Sequence, residues 1–401
     1  MSDSKHLILS ERSSDPLELE TELSKVELEL IEAIRTRYGK NAIEVVLSHA
    51  GRHALKSNQY VGMIPLQGRI VKIIPKIPKI SLISMTRYAL DLPQIMLSEQ
   101  FLAQDNNDYL DIVALMLLTE VEEILRKIPI HGFVAKEEDL HYIRGKILFK
   151  HQILRNNGRH DRIFCKYSDL SQDVLENRII KASLHALRDY PFVDARMNNW
   201  IEEQLQYCDK ISLVRISDHA FRSINFTPLN EHYRNALSMC QLVLENQSIT
   251  QLGEGFSSLP PFLINMDSLF QDFVAQIILI SLGQENVSVR PTEFADLASV
   301  RLKIYPDIEL FVQGTQQMIL DTKYKEPTSE PSRDDLSQMV LYSNSTGIKK
   351  CVLVYPTKLE KKRFDLKNGI TLYCIGFDTS ASNLEEFEEK CRQFVAELRA
   401  V

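Results

Sequence analysis

Tyr305-Pro306-Asp307-Ile308-Glu309-Leu310, a turn at Gly314, and Met318-Ile319-Leu320-Asp321-Thr322-Lys323-Tyr324-Lys325 form the stretch whose reading decides the fold. Two apolar runs flanking a glycine predict an antiparallel hairpin. With the loop centred on Gly314, Asp307 falls opposite Asp321, and directly opposed residues share one face with Cβ atoms about 4.5–5.5 Å apart. Lys323 is the next residue on that face. A one-residue slip would separate the two acids. Two carboxylates held together in an apolar hairpin repel unless something positive lies between them, and a hard divalent cation, Mg²⁺ or Mn²⁺, suits such oxygen ligands. Lys323 would then orient a bound water or neutralise charge building up on a phosphate. The plainer alternative is a Lys323–Asp321 salt bridge at a strand edge.

Outward from the hairpin, helical periodicity predicts a helix over 333–345, which places Gln338 and Tyr342, four apart, on one face. A helix over 265–282 precedes the hairpin, and strands 351–355 and 371–377 follow. A last amphipathic helix opens on a capping box, Ser382 to Glu385. Gly253, Gly255, Pro260 and Pro261 mark a boundary, so residues 253–401 read as one α/β domain. All ten histidines lie at or before His232, which excludes a histidine-ligated metal site in this domain.

Residues 92–252 read as a mostly helical middle region, with helices over 109–126, 173–190 and 231–245. Asp173 and Glu176 resemble a capping box. Between the first two helices, 141–168 reads as an extended basic hairpin. Seven bases, Arg144 and Lys146 among them, face one acid, Asp161, with Tyr142, Phe149, Phe164 and Tyr167 interleaved. That mixture suits phosphate contact and equally a plain polar hairpin. Residues 1–91 carry an acid-rich start, an amphipathic helix from about Leu19 to Arg37, and extended structure over 60–80. There Pro75 and Pro78 argue for an edge or an arm. Its bases Arg69, Lys72, Lys76 and Lys79 are either a solvated strand face or a contact surface for DNA or a partner.

Composition sets the outer bounds. The chain has 401 residues, 44% hydrophobic and 25% charged, which fits a globular α/β multidomain protein and excludes a disordered one. No apolar run approaches the ~20 residues of a membrane helix, and no signal pattern opens the sequence. The cytoplasm is the expected location. A net charge of -7 confines any nucleic-acid surface to a local patch. Six cysteines without a C-x-x-C pair exclude zinc-finger spacing and fit a reducing compartment. There is no phosphate-binding loop, so this chain is expected to bind no nucleotide, and any nucleotide-driven motor is another chain.

The order P-D…D-x-K followed by Q-x-x-x-Y resembles the PD-(D/E)xK nuclease signature in its RecB-like branch. The whole chain resembles the McrC family, the nuclease subunits of methylcytosine-dependent McrBC restriction systems. Arg144-Gly145-Lys146-Ile147, Leu175 to Lys181 (L-E-N-R-I-I-K) and Met266 to Val274 carry the likeness beyond the hairpin. It implies a C-terminal restriction-endonuclease-like domain, a partner AAA+ GTPase ring, and double-stranded DNA as substrate. It implies that Asp307 and Asp321 hold Mg²⁺ with the Thr322 carbonyl as a further ligand. Lys323 would position or activate the water, with Gln338 and Tyr342 shaping the site. The N-terminal residues 1–91 would be the ring-binding adaptor, with its β-arm reaching the ring. Relatives often carry a glutamate where Gln271 stands, and Glu309 or Glu293 could replace it. Arg178 is either a DNA contact or a structural clamp. A stand-alone repair nuclease and a catalytically silent ring activator are the rival readings.

Overall fold

The computed structural model describes residues 5–48, 50–92, 109–126, 129–192, 194, 196–247, 261–283, 287–289, 305–312 and 314–401. These fall into two compact units. The described residues before 93 and after 260 build one, and the middle of the chain builds the other. The stretches 1–91 and 253–401 therefore share a unit.

The first unit opens with β1 (Lys5–Ser10), β2 (Leu17–Glu18), α1 (Lys25–Tyr38), β3 (Ile43–Leu47), β4 (His53–Ser57), β5 (Tyr60–Leu66), β6 (Arg69–Ile74) and α2 (Lys79–Ala89). The helix expected from Leu19 begins at Lys25, because Ser24 caps it: the Ser24 amide donates to Glu27 and the Glu27 amide to Ser24 Oγ. Residues 60–74 do form a hairpin, but it is no protruding arm. β6 is bonded to β1 and β5, and β5 to β6 and β10 (Phe262–Asn265), in the order β1-β6-β5-β10. Apolar side chains on both faces bury it, with Val61, Ile64 and Val71 fully inaccessible. The two prolines fall after β6 and so cost no ladder bond.

The middle unit contains α3 (Tyr109–Arg126), β7 (Gly132–Leu140), β8 (Lys146–Ile147), α4 (Phe149–Arg155), β9 (Ile163–Ser171), α5 (Leu175–Leu187), α6 (Arg196–Tyr207), α7 (Asp218–Arg222) and α8 (Arg234–Gln247). Its sheet runs β7-β9-β8. The basic stretch is thus not wholly extended, since α4 interrupts it. The helix expected from Asp173 starts at Leu175 with Val174 as an N-cap that makes no side-chain bond. Asp173 instead grips Arg178.

After β10 come α9 (Met266–Leu282), β11 (Val287–Val289), β12 (Ile308–Val312), β13 (Thr315–Thr322), α10 (Arg333–Thr346), β14 (Lys350–Tyr355), β15 (Lys362–Asp365), β16 (Thr371–Gly376) and α11 (Leu384–Arg399). Asn265 caps α9. The cap of α11 is Asn383, one residue later than the expected serine, and the Ser382 hydroxyl and amide go to Glu386. The sheet order is β11-β12-β13-β14-β16-β15, with β13, β14 and β16 parallel. α10 packs Met339 and Tyr342 onto Ile319, Cys351 and Leu353. Phe270, Phe273, Phe377 and Phe387 form an aromatic cluster that Tyr324 extends.

Candidate active site

The hairpin register decides the site. Ile308 pairs with Leu320 and Glu309 with Ile319, and a bulge between Leu310 and Phe311 slips the register by one nearer the turn. Carried one residue outward from the Ile308–Leu320 pair, the register sets Asp307 against Asp321, as symmetry about Gly314 predicts. Asp307 Oδ2 accepts from the Thr322 amide at 2.7 Å and the Thr322 hydroxyl at 2.8 Å. The Thr322 side chain therefore holds Asp307 in place. Asp321 is 2% exposed and forms an ion pair with Lys323.

Lys323 is tethered on a second side. Its Nζ donates to Gln338 Oε1 at 2.7 Å, Gln338 Nε2 donates to the Tyr342 hydroxyl at 2.7 Å, and that hydroxyl donates to the Tyr305 carbonyl at 3.1 Å. The i, i+4 spacing on α10 thus builds a relay from the lysine back to the residue before Pro306. Burial holds the Tyr342 phenol up at about 12, so it stays protonated and donates.

Asp335, in the first turn of α10, completes the surroundings. It accepts from Lys325 at 2.6 Å and lies 3.8 Å from Lys323. Burial pushes its carboxyl up, but the bonds from Lys325 and Ser332 and the two lysines outweigh that and leave it low. Asp321 goes the other way. Burial raises it most, Asp307 and Asp335 raise it further, and Lys323 only partly offsets them. A buried carboxyl that resists ionisation beside a second carboxylate gains most from a bound cation.

The oxygen donors fit a hard divalent ion. The Asp307 and Asp321 carboxylates and the Thr322 carbonyl lie at the C-terminal end of a parallel strand, where open α/β sheets bind ligands. Asp321 Oδ2 is buried, and the Lys323 ammonium in contact with it offsets its charge. Among the described residues no three His, Cys, Asp or Glu side chains gather into a metal cluster, so water or phosphate oxygens would complete the shell. Glu309 pairs with Ile319, and burial raises its carboxyl while Gln316, toward the turn, only partly offsets that. Glu293 lies outside the described residues.

The other sequence candidates sit elsewhere. Arg69 is buried, paired with Glu27 at 3.3 Å and bonded to Thr21. Lys76 gives its amide to Glu11 and its Nζ to the Arg12 carbonyl, and Lys72 lies on β6 among other contacts. In the middle unit Arg144 pairs with Asp169 at 2.8 Å and stacks on Tyr167, while Lys146 is exposed on β8. Three of the seven bases of 141–168, Arg144, Arg162 and Lys166, pair with acids on β7 and β9, namely Asp169, Asp139 and Glu137. Arg178 binds Asp173 through two bonds, at 2.7 and 2.8 Å, and Asp173 also holds Ser212. That is a clamp. Gly145 has φ +71°, and a Cβ there would stand 2.4 Å from the Lys166 carbonyl, which explains the glycine between Arg144 and Lys146.

Sequence reading missed Lys325, Asp335, Arg12, Asp267, Glu11 and Tyr324. The first two were within reach, because they flank the hairpin and the Gln338 helix. The Arg12–Asp267 pair spans 255 positions and leaves no local signal.

A mixed α/β architecture of several sheets, with a carboxylate pair and a tethered lysine at the end of a central strand, defines the class of protein. A family model described as "McrBC 5-methylcytosine restriction system component" matches residues 55–356, and the chain belongs to that family. It is 23% identical over 258 residues to the type IV methyl-directed restriction enzyme EcoKMcrBC of Escherichia coli (strain K12), covering 62% of this chain and 74% of that protein. Its fold is similar to a chain of the half-complex from a tetradecameric assembly of Thermococcus gammatolerans McrB AAA+ hexamers with bound McrC. The TM-score is 0.61 at 18% identity, over 98% of this chain and 100% of that one. A second Thermococcus gammatolerans McrBC structure aligns at 0.48 and 18%, over 70% of this chain and 89% of that one. Among the described residues no helix is long and apolar enough to cross a membrane.

Proposed function

We propose that this chain is the DNA-cutting subunit of a restriction system, hydrolysing phosphodiesters with Mg²⁺ in concert with an AAA+ GTPase ring. The observation that carries the reading is the double hold on Lys323, between buried Asp321 and Gln338, beside Asp307. Family membership and the assembly in which the similar solved chain stands support the ring partner.

Asp307, Asp321 and the Thr322 carbonyl would hold the cation, which supplies positive charge to the phosphate and acidifies a water. Thr322 fixes the Asp307 carboxylate through two bonds. Lys323, held among Asp321, Asp335 and Gln338, presents an ammonium that orients the attacking water. Gln338 and Tyr342 lock the ammonium's position, and positional precision of this kind governs rate. Water attacks phosphorus in line and the sugar oxygen departs.

The test is cleavage of supercoiled plasmid in Mg²⁺, with and without the ring partner and GTP, wild type beside Asp321→Ala. Cutting that requires Asp321, partner and GTP supports the reading. Cutting by the lone chain would favour a stand-alone nuclease. Stimulated GTP hydrolysis without cutting would leave a ring activator whose site is silent.

A further inference from the structure

The N-terminal strand ends beside this site. Glu11, directly after β1, is inaccessible to solvent, and its Oε1 accepts from the Tyr324 hydroxyl at 2.9 Å and the Lys76 amide at 2.8 Å. Tyr324 is the residue that follows Lys323. Arg12 comes next, with φ +47°. That left-handed conformation is unfavourable for a residue with a side chain. Its amide donates to the carbonyls of Ser57 and Asn58, which pins the turn. Backbone strain of this kind persists where surroundings over-determine it, and it clusters at functional sites.

The turn sends the guanidinium to Asp267 Oδ1 at 2.5 Å and to within 5.9 Å of the Tyr324 ring centre. Burial raises the carboxyl of Asp267, in the first turn of α9; Arg12 is the main group that favours its charge, Lys323 the next, and Asp307 opposes it. Lys323 thus already faces Asp321 and, at 3.8 Å, Asp335, with Asp267 in the same field, and Arg12 is the cation bonded to Asp267.

We propose that Arg12 is a positioning residue of the nuclease site, acting through Asp267: by neutralising that carboxylate it leaves Lys323 to Asp321 and Gln338. The inference rests on the nuclease reading above. Without the guanidinium, Lys323 is the next cation in the field of an ionised Asp267, and the lysine's hold on the attacking water loosens. The N-terminal strand is then part of the cutting site as well as part of the sheet beside it.

The test uses the full chain with its ring partner, GTP and Mg²⁺, measuring plasmid cleavage at saturating plasmid and as plasmid is diluted. Arg12→Ala should lower kcat about tenfold with KM within about twofold, the mark of a misplaced group and not a lost contact. Arg12→Lys should retain most of the rate. Adding Asp267→Asn to Arg12→Ala should restore it, because the competing carboxylate is gone. Unchanged kcat in Arg12→Ala, a rise in KM alone, or no restoration in the double variant overturns the proposal. Where Arg12→Ala fails to fold, Arg12→Gln keeps a bond to Asp267 without the charge; the same fall in kcat is expected, and a wild-type rate overturns it. Wild-type cutting that Asp321→Ala abolishes upholds the nuclease reading whatever Arg12 does. A wild type that never cuts removes both.

Discussion

Asp321→Asn keeps the shape of the side chain and removes the charge; it should stabilise the fold and, on the proposed reading, abolish cleavage. The wild-type carboxyl is 2% exposed, and burial, Asp307 and Asp335 push it up to about 7 against the pull of Lys323. The unfolded chain ionises this group near 3.8. Between those two values the folded state holds the extra proton, so wild-type stability falls as pH climbs through the window and the loss is complete above it. At about 1.4 kcal/mol per pH unit, the ceiling on that loss is about 4 kcal/mol. The Lys323 ion pair, which the amide weakens, takes back part of it. A net gain of about 1–2 kcal/mol at pH 8 is in line with replacing a buried ion by a neutral group. For a unit of this size, that raises Tm by a few degrees, at roughly 2–4 °C per kcal/mol. Calorimetric melts in chelator at pH 5 and pH 8 read it directly. The variant should melt higher at pH 8, and the gap should shrink at pH 5, where the wild-type carboxyl is largely protonated. On the proposed metal site, added Mg²⁺ should raise the wild-type Tm and leave the variant unmoved, because a ligand stabilises only the form that binds it. An equal gap at both pH values, or a variant that melts lower at pH 8, would refute the reasoning. In the second case the ion pair outweighs burial.

Gly145→Ala should cost more than about 1 kcal/mol, since the left-handed backbone and the Lys166 carbonyl both oppose a Cβ; limited proteolysis of the middle unit reads this, and wild-type resistance would count against it. Arg69→Ala should cost about 3–5 kcal/mol by leaving Glu27 buried without its cation. Its chemical denaturation midpoint checks that, and an unshifted midpoint would mean that Glu27 finds another partner.

The candidate site was legible wherever its logic is local. Asp307, Asp321 and Lys323 follow from period-two alternation about one turn, and Gln338 and Tyr342 from the i, i+4 geometry of a single helix. The site geometry survives the bulge because the slip lies between Leu310 and the turn, and the register outward from Ile308 is untouched. Helix limits were legible where hydrophobic period and start residue agree, as at Tyr109–Arg126, and drifted where periodicity alone set the start, as before Ser24, or a neighbouring residue resembles the cap, as at Asn383.

The hairpin of residues 60–74 shows the limit. Its alternating bases and nearby prolines resemble an exposed arm, yet β1 on one side and β10 on the other enclose it. In the basic stretch of 141–168, the acids that pair with Arg144, Arg162 and Lys166 stand on β7 and at Asp169 of β9, where strand pairing brings them across. Periodicity reports which residues share a face of one element, and capping reports where an element starts. Neither encodes which strand lies beside which. The sequence by itself determined the acid pair, the lysine and the helix that braces it, because those depend on bond geometry over a few residues. Only the tertiary structure could join Glu11 to Tyr324 and Arg12 to Asp267, because sheet order is settled by burying apolar faces across the whole unit.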